Sequence, residues 1–485
     1  MRRISFYTAG VSFLSFFKLA SGQPEGQDNN SRENENSGNN DPKKLNVLFI
    51  AVDDLRPELG CYGHPMVKSP NIDKLACEGV MFNNAYCQVA LSNPTRASLL
   101  TGMRPDAIKV YDLQAHFRDH SPETVTLPEY FKQQGYHSVS LGKIFHLKDE
   151  QSWSVPSWDS DKPNYVLEEN LELIRTSERK RGPSTEKANV SDTAYCDGAI
   201  AERAVEALRL MGDRPFFLAV GFYKPHLPFC APEKYWNLYN PDDITVPDTL
   251  PPLNAANEAL TNFQELRNYS GVPAYNTLSE KQSRHLIHGY YAAVSYMDAQ
   301  VGKLLDELKR LGLDKNTIVI LWGDHGWKLG EYGNWCKHTN VDYDLRVPLI
   351  IKTPGMNSAG KKTDAITEFV DVYPTLCSQA GLQIPSCLQG KDCSILLNSP
   401  EKEFKDAAFS QFERPKNIMG YSIRTDRYRY TYWLNMNNKE VTDDELYDYQ
   451  NDPQGMKNVI WHNKYTSIAL ELKEKLNDAV SNWHD

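Results

Sequence analysis

The chain lacks a basic excess. Its 53 Lys and Arg stand against 63 Asp and Glu, a formal charge of −10. That excludes a global electrostatic grip on nucleic acid, which needs a basic surface. No C-x-x-C pair occurs among the nine cysteines, so neither a zinc ribbon nor a thioredoxin-like site fits. Nine is odd, so at least one thiol stays outside any intramolecular disulfide. There is no G-x-S-x-G elbow, which argues against an ordinary Ser-His-Asp hydrolase. The N-terminal apolar run, Ile4 to Phe17, stops at 14 residues, short of the ~18 expected of a membrane-spanning helix. No internal repeat is visible. What remains is a soluble globular balance, 40% apolar and 24% charged over 485 residues, enough for one large domain and a smaller one.

The N-terminus has the layout of an export signal over residues 1–22. Arg2 and Arg3 precede the apolar run, and small Ala20 and Gly22 sit three and one before a cleavage point at Gln23. Residues 23–44 hold six Asn and no apolar side chain except Pro24 and Pro42. Such a segment cannot offset its own ordering entropy and reads as a disordered spacer. From Leu45, LNVLFIAV is continuously apolar, as expected of a strand covered on both faces of a parallel sheet. Similar runs recur at 137–141, 215–221, 316–322 and 347–352, with helical periodicity over 202–211 and 291–311 between them. This predicts an α/β fold over 45–400, a large, mostly parallel sheet sandwiched by helices. Residues 401–485 read differently. Short alternating strands, including Ser422 to Leu434, precede an amphipathic helix with Ile468, Leu472, Leu476, Val480 and Trp483 on one side. The expectation is a smaller antiparallel sheet plus helix.

Two of the predicted strands end in acids. The first runs into Asp53-Asp54, and NTIVILW runs into Gly323-Asp324-His325-Gly326. Ligands of open α/β sheets gather beyond the carboxyl ends of strands. Three carboxylates and one imidazole delivered to one edge suit calcium, or magnesium as second choice, better than zinc. In LSNPTRASLLTG (91–102), Ser92 precedes Pro94 at a predicted helix start, and Gly102 marks the end. A serine there is equally a common helix cap, although the positive helix terminus also favours developing negative charge. Arg96 lies one turn on and can point at the same spot.

S-x-P-x-R-x-x-x-x-T-G, together with VDDLRPELGCYGHPMVKSP, LGKIFH, GFYKPHLPF, GDHGWKLGEYGNWCK, RVPLI, VDVYPTL and ELYDYQNDP, resembles the type I sulfatases in the family's order, from Leu45 to about Val459. Within that family the likeness is greatest to the branch acting on uronate 2-O-sulfates. The resemblance implies an alkaline phosphatase/sulfatase-like fold and a Cα-formylglycine made from Ser92, whose hydrate attacks sulfur, displaces the sugar alcohol and collapses to expel sulfate. It implies Asp53, Asp54, Asp324 and His325 as metal ligands, with the residue at 92 completing the shell. Arg96 would hold the aldehyde hydrate, Lys143 and His146 would flank it, and His146 would accept a proton in the collapse. His226 would protonate the leaving oxygen, and Lys337 would bind sulfate. Serine rather than cysteine at 92 resembles the bacterial type matured by a radical-using enzyme, which points to a formylglycine-generating maturase as partner and to the periplasm.

The substrates implied are sulfated glycosaminoglycan fragments, with sulfate at position 2 of a non-reducing-end uronic acid of heparin or chondroitin. Lys224 is the candidate for the sugar carboxylate, because residues i and i+2 on an extended segment face one side with His226. Other readings stay open at this point. They are hexosamine 6-O or 4-O sulfates read by loops such as 151–187, a formylglycine-dependent phosphonate or phosphodiester hydrolase, and an unconverted protein that only binds sulfated glycans.

Overall fold

The apolar run after Leu45 becomes a central strand. A computed structural model describes residues 44–483 apart from 179, 262–264 and 276. The expected export signal, and the expected spacer up to residue 43, lie outside the described residues. Seven strands form the main sheet: β1 (Asn46–Val52), β2 (Val80–Phe82), β3 (His137–Gly142), β4 (Phe216–Phe222), β5 (Thr317–Gly323), β6 (Leu349–Lys352) and β7 (Lys361–Thr363). Their spatial order is β7-β2-β6-β5-β1-β4-β3. The strands β3, β4, β1 and β5 are mutually parallel. In contrast, β6 runs antiparallel to both β5 and β2, so the apolar run at 347–352 is a reversed strand of a mostly parallel sheet.

Every residue of β1, β4 and β5 is buried, and the period-2 alternation of a strand divides them between two cores. Leu48, Ile50 and Val52 face the layer that contains Val294, Met297, Val301 and Leu304. Val47, Phe49 and Ala51 face the layer that contains Leu99, Leu100 and Phe369. Four helices matter for the site and its surroundings: α1 (Ser92–Thr101), α2 (Cys196–Leu210), α3 (Glu280–Arg310) and α4 (Thr466–Ser481). The long α3 begins at Glu280, well before the apolar periodicity at Tyr291. A capping box starts it, in which Ser279 Oγ accepts from Gln282 N and Gln282 Oε1 accepts from Ser279 N. No described helix is long and apolar enough to cross a membrane.

The C-terminal strands β8 (Ala408–Arg414), β9 (Ile418–Arg424), β10 (Tyr428–Asn435) and β11 (Val441–Asp448) make an antiparallel sheet in sequence order. The run 422–434 is therefore two strands and a turn, closed where Thr425 N donates to Tyr428 O. Leu472 and Leu476 of α4, with Trp483 beyond it, cover Tyr421, Ile423 and Tyr430 of this sheet. Polar pins join it to the sandwich. Ser410 Oγ donates to Cys87 O at 2.7 Å, and Tyr421 OH to Asp106 at 2.8 Å.

Candidate active site

Four parallel strands deliver the site. In the ladder Val52 pairs with Gly323, so Asp53 and Asp324 emerge side by side at the carboxyl edge, and Asp324 N donates to Val52 O. Asp54 N donates to Asp324 Oδ1 at 2.9 Å. Asp53, Asp54, Asp324 and His325 present ligand atoms within 4.8 Å of one another, all buried. Asp54 adopts φ +57°, a left-handed conformation that Asp tolerates better than most residues. Tyr290 OH on α3 braces that turn, donating to Asp54 O and accepting from Arg56 N.

Ser92 is the first residue inside α1, and the capping position before it is held by Leu91. Ser92 Oγ lies 3.0 Å from Asp53 Oδ1 and 3.0 Å from His325 Nε2. The helix-cap alternative for this serine is thereby removed. Arg96, one turn on and fully buried, donates from Nε to Asp324 at 2.8 Å and from Nη1 to the carbonyls of Lys143 and Ile144 at 2.6 and 3.0 Å. Lys143 follows β3 through Gly142, at φ +72°, where a Cβ would meet Gly221 O at 2.1 Å. Only glycine permits that approach. Lys143 Nζ then reaches Asp53 Oδ2 at 2.5 Å, and Lys337 Nζ reaches Asp54 at 2.9 and 3.1 Å. Each aspartate thus has its own cation.

These charges shape ionisation. Burial alone would raise Asp53, but Lys143, His226 and Arg96 hold it well below the usual carboxylate range. Burial raises Asp54 and Asp324, an excess that a bound cation relieves. Burial also pushes His325 down to about 4, leaving a neutral imidazole of the kind that ligates metals. Three carboxylate oxygens and one imidazole nitrogen, buried and converging, fit a divalent cation.

The structure brings Ser92, Arg96, Lys143, His226 and Lys337 to this cluster. His146 makes no hydrogen bond to them, but its Nδ1 is buried without a partner. Burial and then Lys143 push it down to about 4. His226 Nδ1 is 2.7 Å from Leu227 O, which leaves Nε2 facing the site, 3.9 Å from Asp54.

Lys224 departs from expectation. Residues 224–228 form a turn rather than an extended segment, and the Lys224 ammonium donates to the carbonyls of His226 and Pro228 at 2.9 and 2.7 Å. The side chain is buried and serves its own loop. Asp197, at the start of α2, fastens the same loop by accepting from Tyr223 N and Lys224 N. One site residue escaped the sequence reading altogether. Glu265 lies 3.1 Å from His226 Nε2 and 3.3 Å from Lys337 Nζ. A lone glutamate in a polar loop carries no local signal.

The sulfatase family profile matches residues 45–382, and the profile for the N-sulphoglucosamine sulphohydrolase C-terminal region matches 330–482. Iduronate 2-sulfatase of Mus musculus is 35% identical, aligning 90% of this chain with 94% of that protein. Among solved structures, a 2-O GAG sulfatase superposes with a TM-score of 0.70 at 25% identity, over 91% of this chain and 93% of that one. A phosphonate monoester hydrolase of Agrobacterium radiobacter shares the fold with a TM-score of 0.77 at 23% identity, over 91% and 96%. With an acid-rich strand edge, a hydroxyl at a helix start and a ring of cations already placed, the match over most of its length assigns this chain to the sulfatase family, whose members hydrolyse sulfate esters.

Proposed function

We propose that the chain is an exported, formylglycine-dependent sulfatase that removes the 2-O-sulfate of a non-reducing-end uronic acid from glycosaminoglycan fragments. The observation that carries the chemistry is the placement of Ser92 Oγ, buried and 3.0 Å from both Asp53 and His325 at the head of α1. Identity to iduronate 2-sulfatase over nine-tenths of the chain, together with the fold of the 2-O GAG sulfatase, supports the substrate class.

Asp53, Asp54, Asp324 and His325 would hold calcium, which lowers the repulsion between a nucleophile and the sulfate oxygens. Oxidation of Ser92 to formylglycine, by a maturase acting on its motif, would supply a hydrated aldehyde as nucleophile. Around that position the other side chains have separate tasks. Arg96, immobilised by Asp324 and two carbonyls, fixes the geometry of residue 92 and favours negative charge on it. Lys143 and Lys337 lie on two sides of the cluster and offer ammonium groups to sulfate oxygens. His226, its Nδ1–H spent on Leu227 O, directs Nε2–H outward and donates the proton to the leaving sugar oxygen. The free Nδ1 of His146 accepts a proton when sulfate is expelled. Glu265 holds the Nε2 proton of His226 and orients the donor until the ester arrives.

Disaccharides sulfated only at uronate 2-O, hexosamine 6-O, hexosamine 4-O or N test the assignment. Preferred release from 2-O is expected. Preference for any other position overturns the substrate while leaving the chemistry, and faster turnover of aryl phosphonate than of the matched aryl sulfate overturns the chemistry as well.

A further inference from the structure

Beyond the sulfate site lies a cleft of about 710 Å³ between the 342–346 segment, the β9–β10 turn and residues 449–454. Its volume falls within the range of small-molecule sites. Its two ends have opposite character. At one end the carboxylate of Asp342 is shared by Arg424 and Arg429, and Arg346, whose backbone N donates to Asp342 O, lines the cleft with a guanidinium that makes no side-chain hydrogen bond or ion pair among the described residues. Arg424 and Arg346 line the cleft around that carboxylate, with Arg429 buried behind it, the exposed Asp426 at the rim, and Arg427 also lining the cleft but paired with Asp448. At the other end Arg56 pairs with both Glu58 and Glu331, at 2.7 and 2.8 Å. Glu58 lines the cleft, and its Oε2 is buried with no hydrogen-bond partner, His64 standing 3.9 Å away. Two tyrosine rings sit between the ends: Tyr449 lies 4.4 Å from the Arg424 guanidinium and Tyr343 lies 5.2 Å from that of Arg56.

A plain inorganic anion would use the first end only, and a neutral sugar the second only. A ligand that matches both carries an anionic group, free hydroxyls and an apolar ring face that aromatic side chains can cover. The cleft also shares a wall with the sulfate site. Arg56 lies two residues past Asp54 and donates to Trp327 O at 2.9 Å, and the Trp327 ring lies 5.1 Å from the Lys337 ammonium.

We propose that this cleft is a second saccharide site, taking a sulfated or carboxylated sugar unit with its anion on Arg346 and a hydroxyl on Glu58. The proposal rests on the reading of the protein as a glycan sulfatase, though not on which sulfate it removes. Binding of size-defined heparin and chondroitin sulfate hexasaccharides to the full chain, measured by calorimetry for the parent, Arg346→Gln and Arg346→Glu, tests it. Arg346→Gln should weaken hexasaccharide binding about tenfold, as expected for losing a charge-assisted pair. Arg346→Glu should weaken it further, and turnover of 4-nitrophenyl sulfate should stay unchanged in both. Unaltered hexasaccharide binding in folded variants overturns the proposal, as does an equal loss on 4-nitrophenyl sulfate, which would place Arg346 in the sulfate site or the fold. Failure of the 2-O assignment would appear in the disaccharide panel instead, with this binding result intact.

Discussion

Arg96 is fully buried and is the shared counter-ion of two aspartates that converge on a cation site, so removing it has a consequence that depends on metal. In Arg96→Met the Asp324 carboxylate loses a 2.8 Å partner, Asp53 loses its contact at 3.5 Å, and two carbonyls lose a donor. An uncompensated buried charge costs about 3–5 kcal/mol, with something added for the orphaned carbonyls and something recovered by relaxation. We therefore expect about 5 kcal/mol in metal-free protein. The unfolding entropy of a chain this long is about 1 kcal/mol per kelvin, so the melting temperature should drop by about 5 °C. Calcium supplies positive charge to the same carboxylates. Ligand linkage at a hundredfold excess over Kd adds about 2.7 kcal/mol, and the variant, whose carboxylates are short of cations, should gain more than the parent. Thermal melts of both proteins in excess chelator and in excess calcium measure this, alongside sulfate release from an aryl sulfate. The gap between parent and variant should narrow with calcium by the difference between their two linkage gains, while turnover stays lost. An equal gap in both conditions would refute the reasoning, since Arg96 would then be an ordinary structural arginine. So would sulfate release near the parent's rate.

Four further outcomes are expected. In a competent host the peptide spanning Ser92 should have lost two hydrogens and react with a hydrazide, and Ser92→Ala should fold yet release no sulfate. Activity from a fully unmodified Ser92 protein would end the proposed mechanism. Glu265→Gln should slow sugar sulfates about tenfold or more but 4-nitrophenyl sulfate far less, because a nitrophenolate leaves without needing a proton from His226, and Glu265→Asp should recover part. Equal loss on both would deny Glu265 any part in proton donation. Stability in acid should follow Glu368. Despite burial, Arg104 and Lys405 hold it down to about 2. A depressed carboxyl contributes stability that is fully present above about 4.5 and is lost as pH falls toward 2. Glu368→Gln should flatten the denaturation profile in that window, and an unchanged slope would contradict the assignment. Chelator should abolish turnover and calcium restore it. Two zinc ions per chain in purified protein would instead indicate phosphatase chemistry.

The sheet was legible because its central strands are buried on both faces and so are written as unbroken apolar runs. The same feature hides direction. VPLIIK looks like its neighbours although β6 runs the other way, because a strand buried on both faces has one hydrophobic pattern whichever way it points. Helix α3 was visible only where its apolar stripe is continuous. Its first turns bury Ser283, His288 and Tyr290, residues that periodicity scores as polar, while the S-x-x-Q box at 279–282 that starts it was there to be read.

The convergence of Asp53, Asp54, Asp324 and His325 was legible for a topological reason: two parallel strands in register must bring their following residues to one edge. The His226 loop shows where such reasoning stops. Placing Lys224 beside His226 assumed an extended segment, but the chain turns there, and the ammonium expected to meet a substrate carboxylate closes the loop on itself. Its consequence differs from that of a carboxylate-binding lysine. Lys224→Met leaves two carbonyls without a charged donor, worth about 1–3 kcal/mol each at worst, and loosens the loop that aims His226 Nε2. The loss should then follow the need for a proton, not the presence of a carboxylate. Sugar sulfates with and without a uronate carboxyl should slow by the same factor, and 4-nitrophenyl sulfate should be largely spared. A loss confined to uronate substrates would mean that the ammonium leaves its carbonyls to meet the sugar, and Lys224 would return to the substrate pocket.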